Sequence, residues 1–371
     1  MLQLTSTIKE NATLEIGLSE VEKPAPGADD VLIEVQATPI NPSDLGTLIG
    51  AGDVTTIRSQ GSGADTKLLM DVPQSVMWAM KPRIDIPMPV GNEGAGVVVD
   101  AGENAKHLIG KVVSGVGGGM YAQYRVLPAM SCIEMGEGIT PRDCASSFVN
   151  PLTALGMVET MRAEGHNALI HTAAASNLGQ MLVRICNDDG VDLINIVRKQ
   201  EQVELLSSLG AKYICNSSDE NFKDSLVEAI KATNATLAFD ATGGGELAGI
   251  ILSCMEIAGR ANMTEFSPYG STHHKQVYIY GALNQSGISF PNNRSFGMYW
   301  GVGGWLLTPF LATAGMEKNI ELRQRVSNEI MTTFHSSYTK EISLLDALSL
   351  EEVMVYAKTE TGKKYLINPS L

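Results

Sequence analysis

The sequence is poor in positive charge and in aromatic side chains. It has 27 Lys and Arg against 41 Asp and Glu, a net charge of -14, and only 6% of its 371 residues are Phe, Trp or Tyr. A chain of this charge repels nucleic-acid phosphates and anionic lipid headgroups, and no basic patch offsets it. The composition therefore argues against a nucleic-acid partner and against binding at a membrane surface.

Cysteine is also scarce. The five residues lie far apart, form no C-x-x-C pair and are odd in number: Cys132, Cys144, Cys186, Cys215 and Cys254. Neither a disulfide framework nor a structural zinc site is indicated, which favours a reducing compartment. Because "MLQLTSTIKENATLEIG" lacks a basic start followed by an apolar core, we recognise no signal peptide and expect a cytoplasmic protein.

The segment from Ser295 to Met316 contains no charged residue, and its length is close to that of a membrane span. One interpretation is a contact with a membrane. The other is a buried strand followed by a short helix, or an oligomer face. Five glycines and Pro309 make this segment a poor helix, so we favour the second interpretation.

Two different patterns follow each other along the chain, as its length predicts for two domains. Residues 1–127 carry Val- and Ile-rich runs between Gly, Pro and Asp turns, which predicts a small β-barrel. Residues 128–308 alternate strand and helix patterns, which predicts a doubly wound parallel sheet. Residues 309–371 are expected to return and complete the first domain, so the fold class is α/β.

Two local features refine this organisation. In "TPRD", Thr140 and Pro141 predict the start of a helix that Pro151 ends or kinks. Residues 52–89, with Gly and Ser early and four prolines late, predict an irregular excursion from the barrel. The excursion is either a rim or lid that sets specificity, or an oligomer contact or solvated lobe.

Small residues occupy the first strand-to-helix turn of the alternating region. After "NALIHT" the chain continues with Ala174, Ala175, Ser176, Asn177, Leu178 and Gly179. A dinucleotide pyrophosphate needs backbone amides at a helix N-terminus and small residues around them, so we predict that this turn binds one. Gly179 is expected where helix and strand pack closely, and the Ser176 hydroxyl can donate to a phosphate.

The next strand ends at the position whose residues distinguish NADPH from NADH in dinucleotide-binding folds. Val197 is followed by Arg198 and Lys199 instead of the acidic residue that binds the ribose of NAD. Two cations favour a 2'-phosphate and hence NADPH, although they also suit an ordinary solvated turn. The following strand ends at Asn216, which we also assign to the cofactor site.

The segments "INPSDL", "GNEGAG", "NPLTAL", "AAASNLGQM" and "FDATGGG" resemble the medium-chain dehydrogenase/reductase superfamily over essentially the whole chain. They are most similar to its zinc-independent quinone oxidoreductases and 2-enoyl thioester reductases. The resemblance implies a GroES-like barrel domain, a Rossmann cofactor domain and a homodimer that uses the uncharged segment near Trp300 and Trp305. It also implies cofactor contacts by Thr153 and by Lys358.

The same resemblance implies that the catalytic zinc of some members is absent. Those members have Cys where this chain has Asn41, His where it has Asn92, and their third ligand near Val149. Amides and valine do not replace thiolate and imidazole as zinc ligands. The resemblance assigns Asn41 and Asn92 to the vacated pocket, either as donors to a developing oxyanion or as structural asparagines, and gives Glu93 and Asp44 structural roles.

Hydride transfer from NADPH to a quinone or an activated alkene needs positioning and hydrogen bonds but no Lewis acid. The tyrosine that enoyl thioester reductases use as proton donor is replaced near Gly52, so Tyr121 or a residue of the excursion is the substitute to consider. The sequence therefore predicts a zinc-independent NADPH-dependent quinone or enone reductase. The alternatives are a 2-enoyl thioester reductase and an NADPH-binding sensor without turnover.

Overall fold

The computed structural model describes residues 1–358 and 362–371. The chain divides into two compact units, Met1–Val149 with Arg323–Leu371, and Asn150–Leu322. Both divisions fall later in the chain than the 127/128 and 308/309 boundaries expected from the sequence. One reason is that the short strand Cys132–Glu134 pairs with Val112–Val116 and so belongs to the first unit.

The first unit is built mainly of antiparallel strands. They are β1 Leu2–Ile8, β2 Thr13–Glu20, β3 Asp30–Pro39, β4 Asp53–Gln60, β5 Lys67–Asp71, β6 Met88–Pro89, β7 Glu93–Ala101, β8 Val112–Val116, β9 Tyr124–Pro128, β10 Cys132–Glu134, β17 Lys340–Ile342 and β18 Tyr365–Ile367. Its helices are α1 Pro42–Leu48, α2 Gln74–Met80, α3 Pro141–Cys144 and α10 Leu350–Tyr356. One sheet has the order β4-β5-β2-β1-β6, and a second has β10-β8-β7-β3-β18-β17 with β9 also paired to β3.

The segment 52–89 is more regular than the sequence predicted. It forms β4, β5 and α2, and β5 extends the first sheet by pairing with β2. Alternate residues of β5 are buried, with Leu68 and Met70 inaccessible to solvent. The turn between β4 and β5 contains Gly61 and Gly63 with positive φ, which a strand-to-strand reversal requires. The prediction of an irregular excursion was therefore wrong. The early Gly and Ser residues that suggested a long loop form the turn between β4 and β5.

The second unit is a parallel sheet with helices. Its strands are β11 Ala168–His171, β12 Asp192–Val197, β13 Tyr213–Asn216, β14 Leu237–Asp240, β15 Lys275–Ile279 and β16 Trp300–Gly304. The helices are α4 Val149–Ala163, α5 Asn177–Asp189, α6 Gln200–Ser208, α7 Phe222–Thr233, α8 Leu247–Ala261 and α9 Leu307–Asn328, and the first and last of them cross the boundaries between the units. The strand order β13-β12-β11-β14-β15-β16 reverses between β11 and β14. Such a reversal opens a crevice at the carboxyl ends of the strands, where ligands bind.

Two helix predictions can be compared with the structure. Thr140 caps α3 and Pro141 is its first residue, as the sequence predicted. The helix ends at Cys144, however, and Pro151 lies in the first turn of α4. Proline is tolerated there because the first-turn N–H groups have no partner within the helix. The prediction that Pro151 ends or kinks the first helix was therefore wrong.

The uncharged segment forms strand β16 and the start of α9. Strand β16 lies at the edge of the parallel sheet, and the Trp305 ring packs against Phe239 and Phe310 at centroid distances of 5.7 and 5.6 Å. The helix is interrupted at Gly315, whose φ is 82°. Among the described residues, no helix is both long and apolar enough to cross a membrane.

A buried ion pair fixes α8 to the start of β15. Glu256 and Lys275 are each 1% exposed, and Lys275 Nζ lies 2.8 Å from Glu256 Oε2. The same carboxylate accepts hydrogen bonds from Ser271 and Arg260. Burial alone would raise the pKa of Glu256, but these bonds outweigh it and lower the pKa to about 2.

We expect Glu256→Gln to lower the free energy of unfolding by about 3 kcal/mol, because it leaves the Lys275 ammonium buried without a counter-charge. In the parent protein, the stabilisation by Glu256 is complete above pH 4.5 and is lost as the pH falls to about 2, since the folded-state pKa is the lower one. Urea unfolding across this pH range measures both effects. The control is Glu228→Gln on the exposed pair with Lys231, which should change little.

Candidate functional site

The predicted phosphate-binding turn lies between β11 and α5. Ser176 caps the helix, and its Oγ accepts the N–H of Gly179 at 3.1 Å. This bond leaves the hydroxyl proton of Ser176 available to a ligand oxygen. Ala173 has a φ of 51°, which turns the chain sharply after the strand. The first turn of α5 therefore follows directly from the carboxyl end of β11, where an anion can meet backbone N–H groups.

Gly179 is required by the packing of this turn. A Cβ at position 179 would lie 2.0 Å from the carbonyl oxygen of Ala174. Ala174 and Ala175 are themselves buried, so the turn cannot move aside without disturbing the core. The structure thus confirms the close packing expected at Gly179. The small-residue turn fits a dinucleotide pyrophosphate, with Asn177 and Leu178 as the first two residues of the helix.

The ends of β11 and β14 are joined by a carboxylate that the sequence analysis did not single out. Asp240 is 1% exposed and accepts hydrogen bonds from Thr172 Oγ1 and from Thr242, at 2.7 and 2.6 Å for the two hydroxyls. These two strands lie on either side of the reversal in strand order. Asp240 therefore joins the ends of the two strands at the switch point, the place where the strand order reverses. The sequence motif "FDATGGG" contains this residue and could have indicated its role.

The cationic residues after β12 are exposed. Ser218 Oγ donates to the Arg198 carbonyl oxygen at 2.8 Å, and the Arg198 N–H donates to Gln202. Lys199 Nζ lies 3.3 Å from Glu201 in a solvent-exposed pair that contributes little stability. Asn216 is tied locally, through its amide to Asp219. The charges of Arg198 and Lys199 are therefore accessible to an anionic ligand.

The two remaining cofactor predictions fall in different units. Thr153 lies in α4 of the second unit and is 7% exposed. Lys358 is exposed in the turn that follows α10 of the first unit. Their assignment to the cofactor remains a prediction.

In the first unit, Asn41 and Glu93 form a buried polar pair. Asn41 is 2% exposed and Glu93 is 1% exposed. Asn41 Nδ2 donates to Glu93 Oε1 at 2.8 Å, while Glu93 Oε2 accepts the backbone N–H groups of Phe148 and Val149 at 2.8 and 2.9 Å. Burial raises the pKa of Glu93, and nearby Lys364 opposes the rise. The structural role predicted for Glu93 is confirmed.

The pairing with Glu93 fixes which way the Asn41 amide faces. A carboxylate only accepts hydrogen bonds, so the amide nitrogen must face Glu93 and the oxygen must face away. Among the described residues, Asn41 Oδ1 occupies the capping-box position toward the backbone N–H of Asp44 but forms no hydrogen bond of good geometry. Glu93 uses one N–H of the Asn41 amide, as the structural alternative expects, and donation of the other N–H to an oxyanion stays a prediction.

Asp44 connects Asn41 to the second candidate, Asn92. Its two carboxylate oxygens accept the backbone N–H groups of Asn41 and Asn92, each at 2.7 Å. Burial raises the pKa of Asp44 to about 7, although both backbone bonds lower it. Asn92 is half-buried, and its Nδ2 donates to Ser43 Oγ at 3.0 Å. One N–H of the Asn92 amide thus points to Ser43 and the other remains for a ligand.

Two further groups complete this part of the first unit. Tyr121, a candidate proton donor from the sequence, is inaccessible to solvent and its hydroxyl donates to the Pro39 carbonyl at 3.1 Å. Burial raises its pKa well above the usual value, so it is unsuited to give a proton to a substrate. Lys364, which the sequence analysis missed, donates to Ser146 Oγ at 2.7 Å, and burial lowers its pKa to about 8.

The residues of the first unit do not fit a catalytic zinc ion. The Asn41 amide nitrogen faces Glu93, and Val149 offers only its backbone N–H to the same carboxylate. Within the part of the chain that the structure describes, no group of three or more His, Cys, Asp or Glu side chains is placed to hold a metal. His171, at the end of β11, is buried beside Tyr280, and burial lowers its pKa to about 3.

Comparison with known proteins gives consistent matches in both units. Residues 27–137 match the alcohol dehydrogenase GroES-like domain family, and residues 178–298 match the zinc-binding dehydrogenase family. The chain is 27% identical over 251 residues to the mitochondrial enoyl-[acyl-carrier-protein] reductase of Caenorhabditis elegans, covering 65% of this chain and 64% of that protein. The chain spans from about half to about two thirds of the length of several such curated relatives, with 49% for the human protein.

Solved structures resemble nearly the whole chain. A protein of Mesorhizobium loti assigned as an NADPH:quinone reductase is 26% identical with a TM-score of 0.72, covering 99% of this chain and 97% of that one. The quinone oxidoreductase of Escherichia coli, solved with NADPH, has a TM-score of 0.70 at 16% identity and covers 100% of both chains. The predicted fold class, a GroES-like barrel domain with a Rossmann domain, is thereby confirmed.

We expect Gly179→Ala to weaken dinucleotide binding at least tenfold and to lower the unfolding midpoint, because the new methyl group would overlap the Ala174 carbonyl. Fluorescence titration with the cofactor and thermal unfolding measure the two effects. The matched control is Gly287→Ala, where a Cβ meets no atom within 4 Å. Unchanged cofactor affinity in Gly179→Ala would contradict the assignment of this turn.

Proposed function

We propose that this chain, which belongs to the quinone oxidoreductase and enoyl reductase branch of the medium-chain dehydrogenase/reductase superfamily, is a zinc-independent NADPH-dependent reductase. Its substrate is a quinone or an α,β-unsaturated carbonyl compound. The observation that carries the proposal is the small-residue turn at Gly179 beside the switch point, followed by two exposed cations after β12.

The second unit supplies the groups that would hold NADPH. The first turn of α5 and the Ser176 hydroxyl bind the pyrophosphate, and Thr153 and Asn216 are further contacts proposed in this unit. The resemblance adds Lys358, which belongs to the first unit. Arg198 and Lys199 bind the 2'-phosphate, since a second phosphate favours cations where NAD would favour a carboxylate. When bound, the cofactor supplies a hydride.

The first unit supplies the polar groups for the acceptor. The free N–H of the Asn92 amide donates to the oxygen on which negative charge develops, and Asp44 holds the Asn92 backbone for this purpose. Asn41 contributes by keeping the Glu93 carboxylate hydrogen-bonded, and its second N–H is the other donor proposed for the developing charge. The proton that completes the reduction comes from solvent or from a donor other than the buried Tyr121.

The similarity to enoyl-[acyl-carrier-protein] reductases makes a 2-enoyl thioester a member of the same acceptor class to test. The few, widely spaced cysteines suit a reducing compartment, and we place the protein in the cytoplasm. The mitochondrial names of several relatives make that organelle the alternative location.

Chelator-treated protein should oxidise NADPH with a quinone or enone, and NADH less efficiently. The Arg198→Ala/Lys199→Ala double variant should lower kcat/KM for NADPH about tenfold to a hundredfold, since each lost phosphate contact removes about 1 kcal/mol or more. Its kcat/KM for NADH should stay the same. The control is Lys231→Ala, an exposed lysine on α7.

Other outcomes would reject specific parts of the proposal. Activity that disappears on chelation would mean that a metal takes part. Tight NADPH binding without turnover on quinones, enones and enoyl thioesters would favour the sensor. Equal use of NADH and NADPH would remove the assigned role of Arg198 and Lys199.

We also propose a homodimer formed through the free edge of β16, where the strand is uncharged and half-buried. Gly304→Lys should shift the protein to a monomer in sedimentation velocity, because it places a charge at this edge without a clash inside the protomer: no atom lies within 4 Å of the new Cβ. Gly304→Ala is the matched control and should remain dimeric. A monomeric parent protein would contradict this assembly.

A further inference from the structure

The two cationic side chains that follow β12 differ in their partners. The Arg198 backbone is fixed, since its N–H donates to Gln202 Oε1 at 3.0 Å and its carbonyl oxygen accepts Ser218 Oγ at 2.8 Å. Its guanidinium, in contrast, forms no hydrogen bond or salt bridge within residues 1–358 and 362–371. Arg198 is therefore held at the end of the strand while its charge remains available to a ligand.

Lys199, the next residue, already has a counter-charge. Its Nζ lies 3.3 Å from Glu201 Oε1, and the two side chains are 67% and 73% exposed, so a ligand can reach the pair from solvent. Lys199 is the N-cap residue of α6 and Glu201 is the second residue of that helix, which keeps the two close along the chain. A phosphate that binds Lys199 must therefore compete with the Glu201 carboxylate.

Glu201 has two electrostatic effects at this position. An acidic residue in the first turn of a helix interacts favourably with the N–H groups that have no partner within the helix, and Glu201 is the acidic residue in the first turn of α6. The same negative charge repels a phosphate that approaches Lys199. Glu201 thus stabilises its helix and at the same time disfavours an anionic ligand beside it.

We propose that Glu201 is a specificity-determining residue that limits the preference for NADPH over NADH. It pairs with Lys199 and repels the 2'-phosphate, so Arg198 supplies most of the discrimination between the two cofactors. This inference rests on the proposed function, which assigns the 2'-phosphate to the end of β12, and it gives the two cations unequal roles. An uncharged side chain at position 201 would make the chain more selective for a 2'-phosphate.

Calorimetric titration of the full chain with adenosine 2',5'-bisphosphate and adenosine 5'-phosphate tests the proposal, because only the first nucleotide has a 2'-phosphate. The titrations are made at low ionic strength, since salt screens exposed charges. Glu201→Gln should tighten binding of the bisphosphate about fivefold and change that of the monophosphate less than about twofold, as expected for one exposed charge. Glu204→Gln, the same change at an exposed position farther along α6, is the matched control and should alter neither affinity.

A double-mutant cycle separates the pairing of Lys199 with Glu201 from the repulsion of the phosphate. Lys199→Met should weaken binding of the bisphosphate less than Arg198→Met does, because Lys199 is already paired and Arg198 is not. In the Lys199→Met background, Glu201→Gln should give a smaller gain than in the parent protein, since only the repulsion is then removed.

Three results would overturn the inference. Equal gains in Glu201→Gln and Glu204→Gln would reduce the effect to net charge, and equal gains for the two nucleotides would separate Glu201 from the 2'-phosphate. The same gain with and without Lys199 would contradict the pairing. If neither nucleotide binds the parent protein, the proposed cofactor site fails as well, whereas binding that Glu201→Gln leaves unchanged rejects this inference alone.

Discussion

The first unit depends on the burial of the Glu93 carboxylate. A buried carboxylate needs donors from every direction, and Glu93 obtains them from the Asn41 side chain and from the backbone of Phe148 and Val149. These donors come from the start of α1 and from the segment between α3 and α4. The Glu93 carboxylate thereby holds two distant parts of the chain against β7. It also fixes the orientation of the Asn41 side-chain amide.

Much of the architecture was readable from periodicity and turn chemistry. The alternating strands and helices of the second unit follow apolar runs that end in Gly190 and in other turn residues, and the cap at Thr140 was marked by the Pro141 beside it. Gly179 was predictable because a strand followed by small residues and a helix leaves little room for a Cβ. In each case the signal lay within a few neighbouring residues.

What the sequence did not predict depends on contacts between distant residues. The β4–β5 pair looked irregular because its burial arises from pairing with β2. The orientation of Asn41 depends on Glu93, more than fifty positions later. Lys364 likewise acts through a distant partner, Ser146, that no local motif indicates.

The orientation of Asn41 also bears on metal binding. A single change of Asn41 to Cys would remove a donor from Glu93 and place a thiol beside two buried carboxyl groups, Glu93 and Asp44. Both effects disfavour the thiolate that a metal needs, and a metal could offset them only after a second ligand had replaced Asn92. Asn41→Cys alone would therefore leave a less stable barrel domain and would not create a metal site.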